Sequence, residues 1–163
     1  MNQKYRALWI EDGALAELAF LAGPIYSDGR YELTIARSAS EATEFLIQNE
    51  YNAVIIDVRL PPGKDKQWNA LYKQAARDKS AAKLGLSLIK CILGAKDAEI
   101  KLAKPLEWLT PDKIGVLTVE TKSDLLDTLS CLGISTYHQK NANMSERVLL
   151  EVIEGICKTG VPH

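Results

Sequence analysis

The sequence predicts an α/β domain built on a doubly wound, five-stranded parallel sheet with helices on both faces. Three observations carry that prediction. Five short apolar runs alternate along the chain with amphipathic helical windows, and such alternation means crossover connections between parallel strands. The run Ala53-Val54-Ile55-Ile56 is continuously apolar and rich in β-branched residues, which suits a strand covered on both faces. Acidic, hydroxyl and amine side chains stand directly after these runs, at the strand ends where open parallel sheets build their sites.

Each element has its own local reason. Residues 6–10 form the first apolar run and end at Glu11-Asp12. Leu15, Leu18, Ala19 and Ala22 then recur at i, i+3, i+4 and i+7, which predicts a first helix. Asp28-Gly29 marks a turn, and residues 31–36 read as the second strand. Ser40 is the expected N-cap of the next helix, with Ala42, Phe45 and Leu46 on one face. The third strand is 53–56, followed by a loop at Leu60-Pro61-Pro62-Gly63. Trp68, Leu71, Tyr72 and Ala75 give the stripe of an extra helix, and Leu84, Leu88, Cys91 and Ile92 that of the helix after it, which stops near Gly94. Residues 95–113, with Pro105 and Pro111, have no regular period; a stretch this long is expected to have its own packing or partner. The fourth strand runs over 114–117 to Thr118. Leu125, Leu129 and Leu132 stripe a helix that Gly133 ends. Residues 134–139 make the fifth strand, and Ser145 is the expected cap of a last helix burying Leu149, Val152, Ile153 and Ile156 before Gly160.

Bulk composition narrows the function classes. The 163 residues suit one domain with a sizeable core, 47% of them hydrophobic and 25% charged. A net charge of −1 gives no global pull toward nucleic acid or an anionic membrane. No run approaches the roughly 20 apolar residues a spanning helix needs, and the N-terminal segment lacks the long apolar stretch of a secretory signal. Cys91, Cys131 and Cys157 are odd in number and widely spaced, which argues against a disulfide framework or a zinc site and for buried free thiols. The expectation is a cytoplasmic domain.

The strand ends gather Glu11, Asp12, Asp57, Thr118 and Lys140 on one edge. Clustered carboxylates repel one another unless a cation joins them, and an all-oxygen set favours Mg²⁺, or Mn²⁺ in its place. A lysine and a hydroxyl beside such an ion suit a phosphoryl group, whose transfer needs mainly positioning and charge compensation. Taken singly, each residue has a plainer reading; Asp12, for example, suits the cap of the first helix equally well.

In sequence these strand ends resemble the receiver domains of two-component response regulators. Leu8-Trp9-Ile10-Glu11-Asp12 resembles that family's first strand and acidic pair, and Ala36-Arg37-Ser38-Ala39-Ser40-Glu41-Ala42 its second strand and helix start. Val54-Ile55-Ile56-Asp57-Val58-Arg59-Leu60-Pro61 is similar to its phosphoacceptor strand and loop. Val116-Leu117-Thr118-Val119-Glu120 and Tyr137-His138-Gln139-Lys140 are similar to its fourth and fifth strand ends. The likeness covers residues 5–62 and 82–158 and implies a flavodoxin-like sheet of order 2-1-3-4-5.

The resemblance also implies roles. Asp57 is expected as phosphoacceptor, and Glu11, Asp12, Asp57 and the Arg59 backbone carbonyl as metal ligands. Lys140 is expected to pair with the phosphoryl group, Thr118 to move toward it, and Tyr137 to change rotamer in response. The implied partners are a sensor histidine kinase or phosphotransfer protein as donor, a downstream effector, and a possible second copy of the chain. The implied chemistry is self-catalysed phosphoryl transfer and later hydrolysis, as in a phosphorelay, rather than turnover of a substrate. Three positions depart from the family pattern: Val119 stands where a small residue is usual, Asn141 where proline is usual, and Arg59 at a position that often tunes hydrolysis. A degenerate receiver acting as a phosphorylation-independent interaction module is the alternative. A haloacid-dehalogenase-like phosphatase is disfavoured, because Glu11-Asp12-Gly13-Ala14 lacks the required DxD pair.

One segment lies outside the resemblance. An insertion at about 63–82 separates the third strand from its usual helix, and between residues 64 and 83 six basic residues face two acids. Its expected form is an extra helix with a solvated basic face, or a docking surface beside the acidic site. His138, a lone histidine within a strand pattern, is expected to be structural.

Overall fold

The computed structural model describes residues 3–158. Five strands, β1 (Tyr5–Ile10), β2 (Tyr31–Ala36), β3 (Ala53–Ile56), β4 (Ile114–Thr118) and β5 (Thr136–Gln139), form one sheet of order β2-β1-β3-β4-β5. Every pairing is parallel. The expected class and strand order are therefore observed. The fifth strand is shorter than expected: Ile134 is buried but precedes it, and the outer half of β5 is exposed, as befits an edge strand.

Side chains that alternate along a strand separate two cores. Leu8, Ile10, Val54, Ile56 and Val116 face one side, against α2 (Ala39–Gln48), α5 (Leu84–Leu93) and α6 (Lys122–Cys131). Ala7, Trp9, Ala53, Ile55 and Leu117 face the other, against α1 (Gly23–Asp28) and α7 (Val148–Cys157). All four residues of β3 are buried, which is why that run carries no polar alternation. Among the described residues no buried side-chain nitrogen or oxygen lacks a hydrogen-bond partner. No helix among them is long and apolar enough to cross a membrane.

Several local expectations are corrected. The first helix does not start at residue 15: the chain leaves β1 through a string of tight turns and a 3₁₀ turn at Ala19–Leu21, and α1 begins only at Gly23. Pro24 lacks an N–H and fits a first helical turn but not an interior, so an α-helix cannot run through it. Leu15 is 62% exposed in consequence. The cap of α2 is Ser38, not Ser40; Ser38 is extended and its hydroxyl accepts from Glu41 N at 3.1 Å. Ser40 is buried instead, donating to the Pro62 carbonyl and accepting from Asp65 N at 2.9 Å. Ser145 accepts from Arg147 N in the turn before α7, which itself has no side-chain cap. Gly160, expected after that helix, lies outside the described residues. Cys91 and Cys157 are buried free thiols, but Cys131 is exposed.

Gly133 ends α6 in the left-handed conformation with φ 78°, as its position suggested. The insertion holds two helices rather than one: α3 (Lys66–Gln74), whose Trp68 is buried in the first core, and α4 (Lys79–Ala82), a single turn with no buried residue. Residues 95–113 contain only turns, bends and the 3₁₀ turn Pro111–Lys113. That stretch packs its own side chains: Ile100 and Leu109 are buried, and the Trp108 ring meets Tyr51 and the Lys113 ammonium.

Candidate functional site

The sheet register places the site residues. Ile10 pairs with Ile56, so Glu11 and Asp57, one residue on, emerge side by side. The ladder continues past the strands: Glu11 N donates to Ala36 O at 2.8 Å, and Asp57 N to Ile10 O at 3.0 Å. On the other side Thr118 pairs with Gln139, and Lys140 N donates to Thr118 O at 2.7 Å. Backbone bonds thus deliver an acid from β1, an acid from β3 and an amine from β5 to one edge.

The side chains meet there. Lys140 Nζ donates to Glu11 Oε1 at 2.5 Å and to Asp57 Oδ2 at 3.2 Å. Lys140 is 9% exposed and Glu11 2%, so this is a buried ion pair. Carboxylate oxygens of Glu11, Asp12 and Asp57 lie within 4.8 Å of one another. Asp57 Oδ1 also accepts from Arg59 N at 3.2 Å, and Glu11 Oε2 from Gly13 N at 3.0 Å. Thr118 is fully buried, and its hydroxyl oxygen accepts from Glu120 N at 3.4 Å. Tyr137 donates its hydroxyl to the Glu120 carbonyl. Val119 sits at the rim, 42% exposed, and His138 points outward from β5. No peptide bond among the described residues is cis, including the one before Asn141.

Electrostatics follow from burial and neighbours. Desolvation, and then the Asp57 charge, push the Glu11 carboxyl up to about 7 against the opposing pull of Lys140. Burial is the largest influence on Asp12 and works to raise it, but the hydrogen bonds from Lys79 and Glu11 and the charges of Lys79 and Lys140 together outweigh it and hold that carboxyl below its ordinary value. Desolvation works against the Lys140 charge, yet Asp57 and Glu11 together raise that ammonium above an ordinary lysine. Three hard oxygen donors in close reach suit Mg²⁺ or Mn²⁺, and the donor set contains no soft ligand that would favour another metal.

All five strand-end residues singled out in the sequence therefore gather at one edge. Asp12 does not cap a helix: its Oδ2 accepts from Lys79 Nζ at 2.8 Å. That lysine belongs to α4 in the insertion, and nothing local in the sequence signals the contact. Glu120 was part of a motif without a role; it is buried and pairs with Arg59 at 3.2 Å and Lys83 at 3.7 Å. Gly85 was also missed. A Cβ there would stand 2.1 Å from the Asp57 carbonyl oxygen and 2.6 Å from Val58 Cα, while Gly85 N donates to Val58 O at 2.9 Å. No local signal finds it: a glycine inside the helical pattern of Leu84 to Leu93 lowers helix stability relative to alanine but says nothing of what its backbone approaches.

Many solved structures of similar fold are receiver domains or response regulators. The non-phosphorylated HemR receiver domain from Leptospira biflexa is 21% identical, with a TM-score of 0.59 over 98% of this chain and 99% of that one. The response regulator TrrA from Thermotoga maritima, in complex with Mg²⁺ and BeF, is 22% identical, with a TM-score of 0.56 over 93% and 98% of the two chains. The Mn²⁺-bound form of the response regulator Rcp1 is 18% identical, with a TM-score of 0.59 over 98% and 99%. This chain has the receiver fold. Within the receiver fold its acidic pocket of Glu11, Asp12 and Asp57 fits a phosphoacceptor site. No family model matches the chain, and no curated protein matches it by sequence.

Proposed function

We propose that the chain is a phosphoacceptor receiver module of a two-component system. One observation carries the reading: Lys140 bridges Glu11 and Asp57 inside a cluster that also contains the Asp12 carboxylate. In the proposed step a carboxylate oxygen of Asp57 attacks the phosphorus of a phosphohistidine on a sensor kinase or phosphotransfer protein. The P–N bond breaks, the imidazole leaves with the electron pair and takes up a proton, and an acyl phosphate remains on Asp57. Glu11, Asp12, Asp57 and the Arg59 carbonyl would hold Mg²⁺ or Mn²⁺. The bound ion supplies charge neutralisation between the carboxylates and the phosphoryl oxygens.

The protein's own residues do the rest. Lys140 keeps its charge and turns one donor to the phosphoryl group. Thr118 gives up the amide of Glu120 and donates its hydroxyl to a phosphoryl oxygen. Tyr137, tied to the same Glu120 through its carbonyl, is released by that movement, and the β4–α6 surface changes for an effector or a second copy of the chain. Two structural neighbours support the metal: Rcp1 is Mn²⁺-bound, and TrrA is in complex with Mg²⁺ and BeF.

A second reading has its own support. Lys140 and Lys79 already pair all three carboxylates without an ion, as a phosphorylation-independent interaction module would require. Acetyl phosphate with Mg²⁺, followed by intact-mass spectrometry, separates the two. An adduct of one phosphoryl group that Asp57→Asn abolishes is the expected result. An unmodified mass, with no response to BeF₃⁻ and Mg²⁺ in tryptophan fluorescence, favours the interaction module.

A further inference from the structure

The single turn α4 is held in an unusual way. Ala76 and Arg77 precede it with φ of 57° and 55°, and Lys83 follows with φ 47°. Elsewhere among the described residues, positive φ falls on Gly29, Gly63, Gly94 and Gly133, so the non-glycine cases all flank this turn. A residue with a side chain in that conformation costs about 1 kcal/mol. Apolar burial offsets little of the cost, because no residue of α4 is fully buried and only Ala82 packs, half-buried, against the first core. Its two side-chain ties to the sheet edge are charged. Lys79 Nζ reaches Asp12 at 2.8 Å, and Lys83 Nζ reaches Glu120 at 3.7 Å. Asp12 follows β1 and Glu120 follows β4, so α4 lies between two carboxylates at the edge of the acidic cluster. The neighbouring α3 is anchored independently by buried Trp68.

We propose that Lys79 is a resident counter-cation of the acidic cluster, that a divalent ion must displace it from Asp12, and that residues 75–83 are released when it leaves. The inference rests on the reading of Glu11, Asp12 and Asp57 as a divalent-cation site. An ammonium and a doubly charged ion repel across one carboxylate; Lys140, delivered by the sheet, stays beside the cluster, whereas Lys79, 43% exposed on a surface turn, is the cation free to leave. Once Lys79 is displaced, one of two tethers is gone while the backbone strain remains, so the balance favours opening. The inserted segment thereby reports the occupancy of the site on the protein surface and weakens cation binding by competition. It is a specificity device: a cation must outcompete an intramolecular lysine, which selects a compact divalent ion over a monovalent one.

The test uses the full chain as wild type, Lys79→Met, Lys79→Arg and Asp57→Asn. Mn²⁺ alone is titrated and the free ion is read by electron paramagnetic resonance; amide hydrogen exchange is then followed with and without Mg²⁺. Lys79 is 43% exposed, so its replacement leaves the core intact, and circular dichroism checks this. The expected result is about tenfold tighter Mn²⁺ binding in Lys79→Met, the size of losing one nearby positive charge. Lys79→Arg stays near wild type. Exchange in 75–83 of the wild type accelerates with Mg²⁺, whereas in Lys79→Met it is fast from the start. Equal or weaker Mn²⁺ binding in Lys79→Met, or wild-type exchange in 75–83 that ignores Mg²⁺, overturns the proposal and leaves the cation site standing. Absence of Mn²⁺ binding in every variant, or binding that Asp57→Asn does not weaken, removes the cation site and the proposal together.

Discussion

Lys140 reaches the acidic cluster from the end of β5 with 9% of its side chain exposed, whereas Lys79 reaches it from α4 with 43% exposed. The first is delivered by the sheet: a backbone bond to Thr118 fixes its Cα, and the strand register does the rest. The second is delivered by a surface turn flanked by left-handed residues and held by its charges. The two ion pairs have similar lengths, yet burial gives them different weight. A pair in water gains little, because solvent screens it and the side chains lose freedom. A buried pair is costly to break, because the partner left behind keeps its charge without solvent. The sheet edge is therefore the rigid half of the site and the insertion its compliant half.

The sharpest way to break this comparison is to remove each lysine. Lys140→Met is expected to destabilise the ion-free protein by about 3 kcal/mol at pH 8, and Lys79→Met by less than about 1 kcal/mol, in urea denaturation. Equal losses would contradict the division into rigid and compliant halves.

Gly85 lies at the seam, two residues after Lys83, where α5 begins against the Asp57 loop. Gly85→Ala is expected to cost about 2 kcal/mol and to lower Mg²⁺ affinity, because the new methyl must push the Asp57 backbone aside. Calorimetric titration with Mg²⁺ beside thermal unfolding checks both effects. A stable variant with unchanged affinity would mean that the seam is softer than its geometry implies.

A pH series sharpens the comparison further. Glu11 has its carboxyl pushed up to about 7, above the ordinary carboxylate range of an unfolded chain. The protonated form is thus favoured by folding. That contribution is complete below the ordinary carboxylate range and is lost as pH rises through about 7. The ion-free protein should lose stability from this group between about pH 5 and 8. Added Mg²⁺ should raise the melting temperature more at pH 8 than at pH 6, and the difference should vanish in Glu11→Gln.

The smallest effect belongs to the insertion. Ala76→Gly relieves a left-handed alanine at a position whose side chain is exposed. A gain of about 0.5 kcal/mol is expected in chemical denaturation, after the added flexibility of the unfolded chain is subtracted. A loss would show that the backbone there is not strained.

Much of the site was legible because it lies one residue beyond strands whose own pattern is strong. Ile56 ends a fully buried run, so Asp57 had to emerge at the strand end. The same logic placed Glu11 after Ile10 and Lys140 after Gln139. The first helix is not legible in the same way: the periodicity of Leu15, Leu18, Ala19 and Ala22 points to an earlier start than the one set at Gly23-Pro24. Ser40 precedes the apolar stripe and so reads as a cap, but Ser38 is the residue with extended backbone, and the Ser40 hydroxyl serves the loop after β3.

By itself the sequence determined the segments that become strands, the parallel class of the sheet and the chemistry waiting at each strand end. These follow from which residues avoid water and with what period, a property of neighbours along the chain. Tertiary structure alone decided that Lys79 meets Asp12 across 67 residues, that Gly85 must lack a side chain, and that Glu120 gathers two cations. Those contacts depend on the path of an insertion in space and on distances of a few ångströms between backbones. No local pattern of hydrophobicity or charge encodes either.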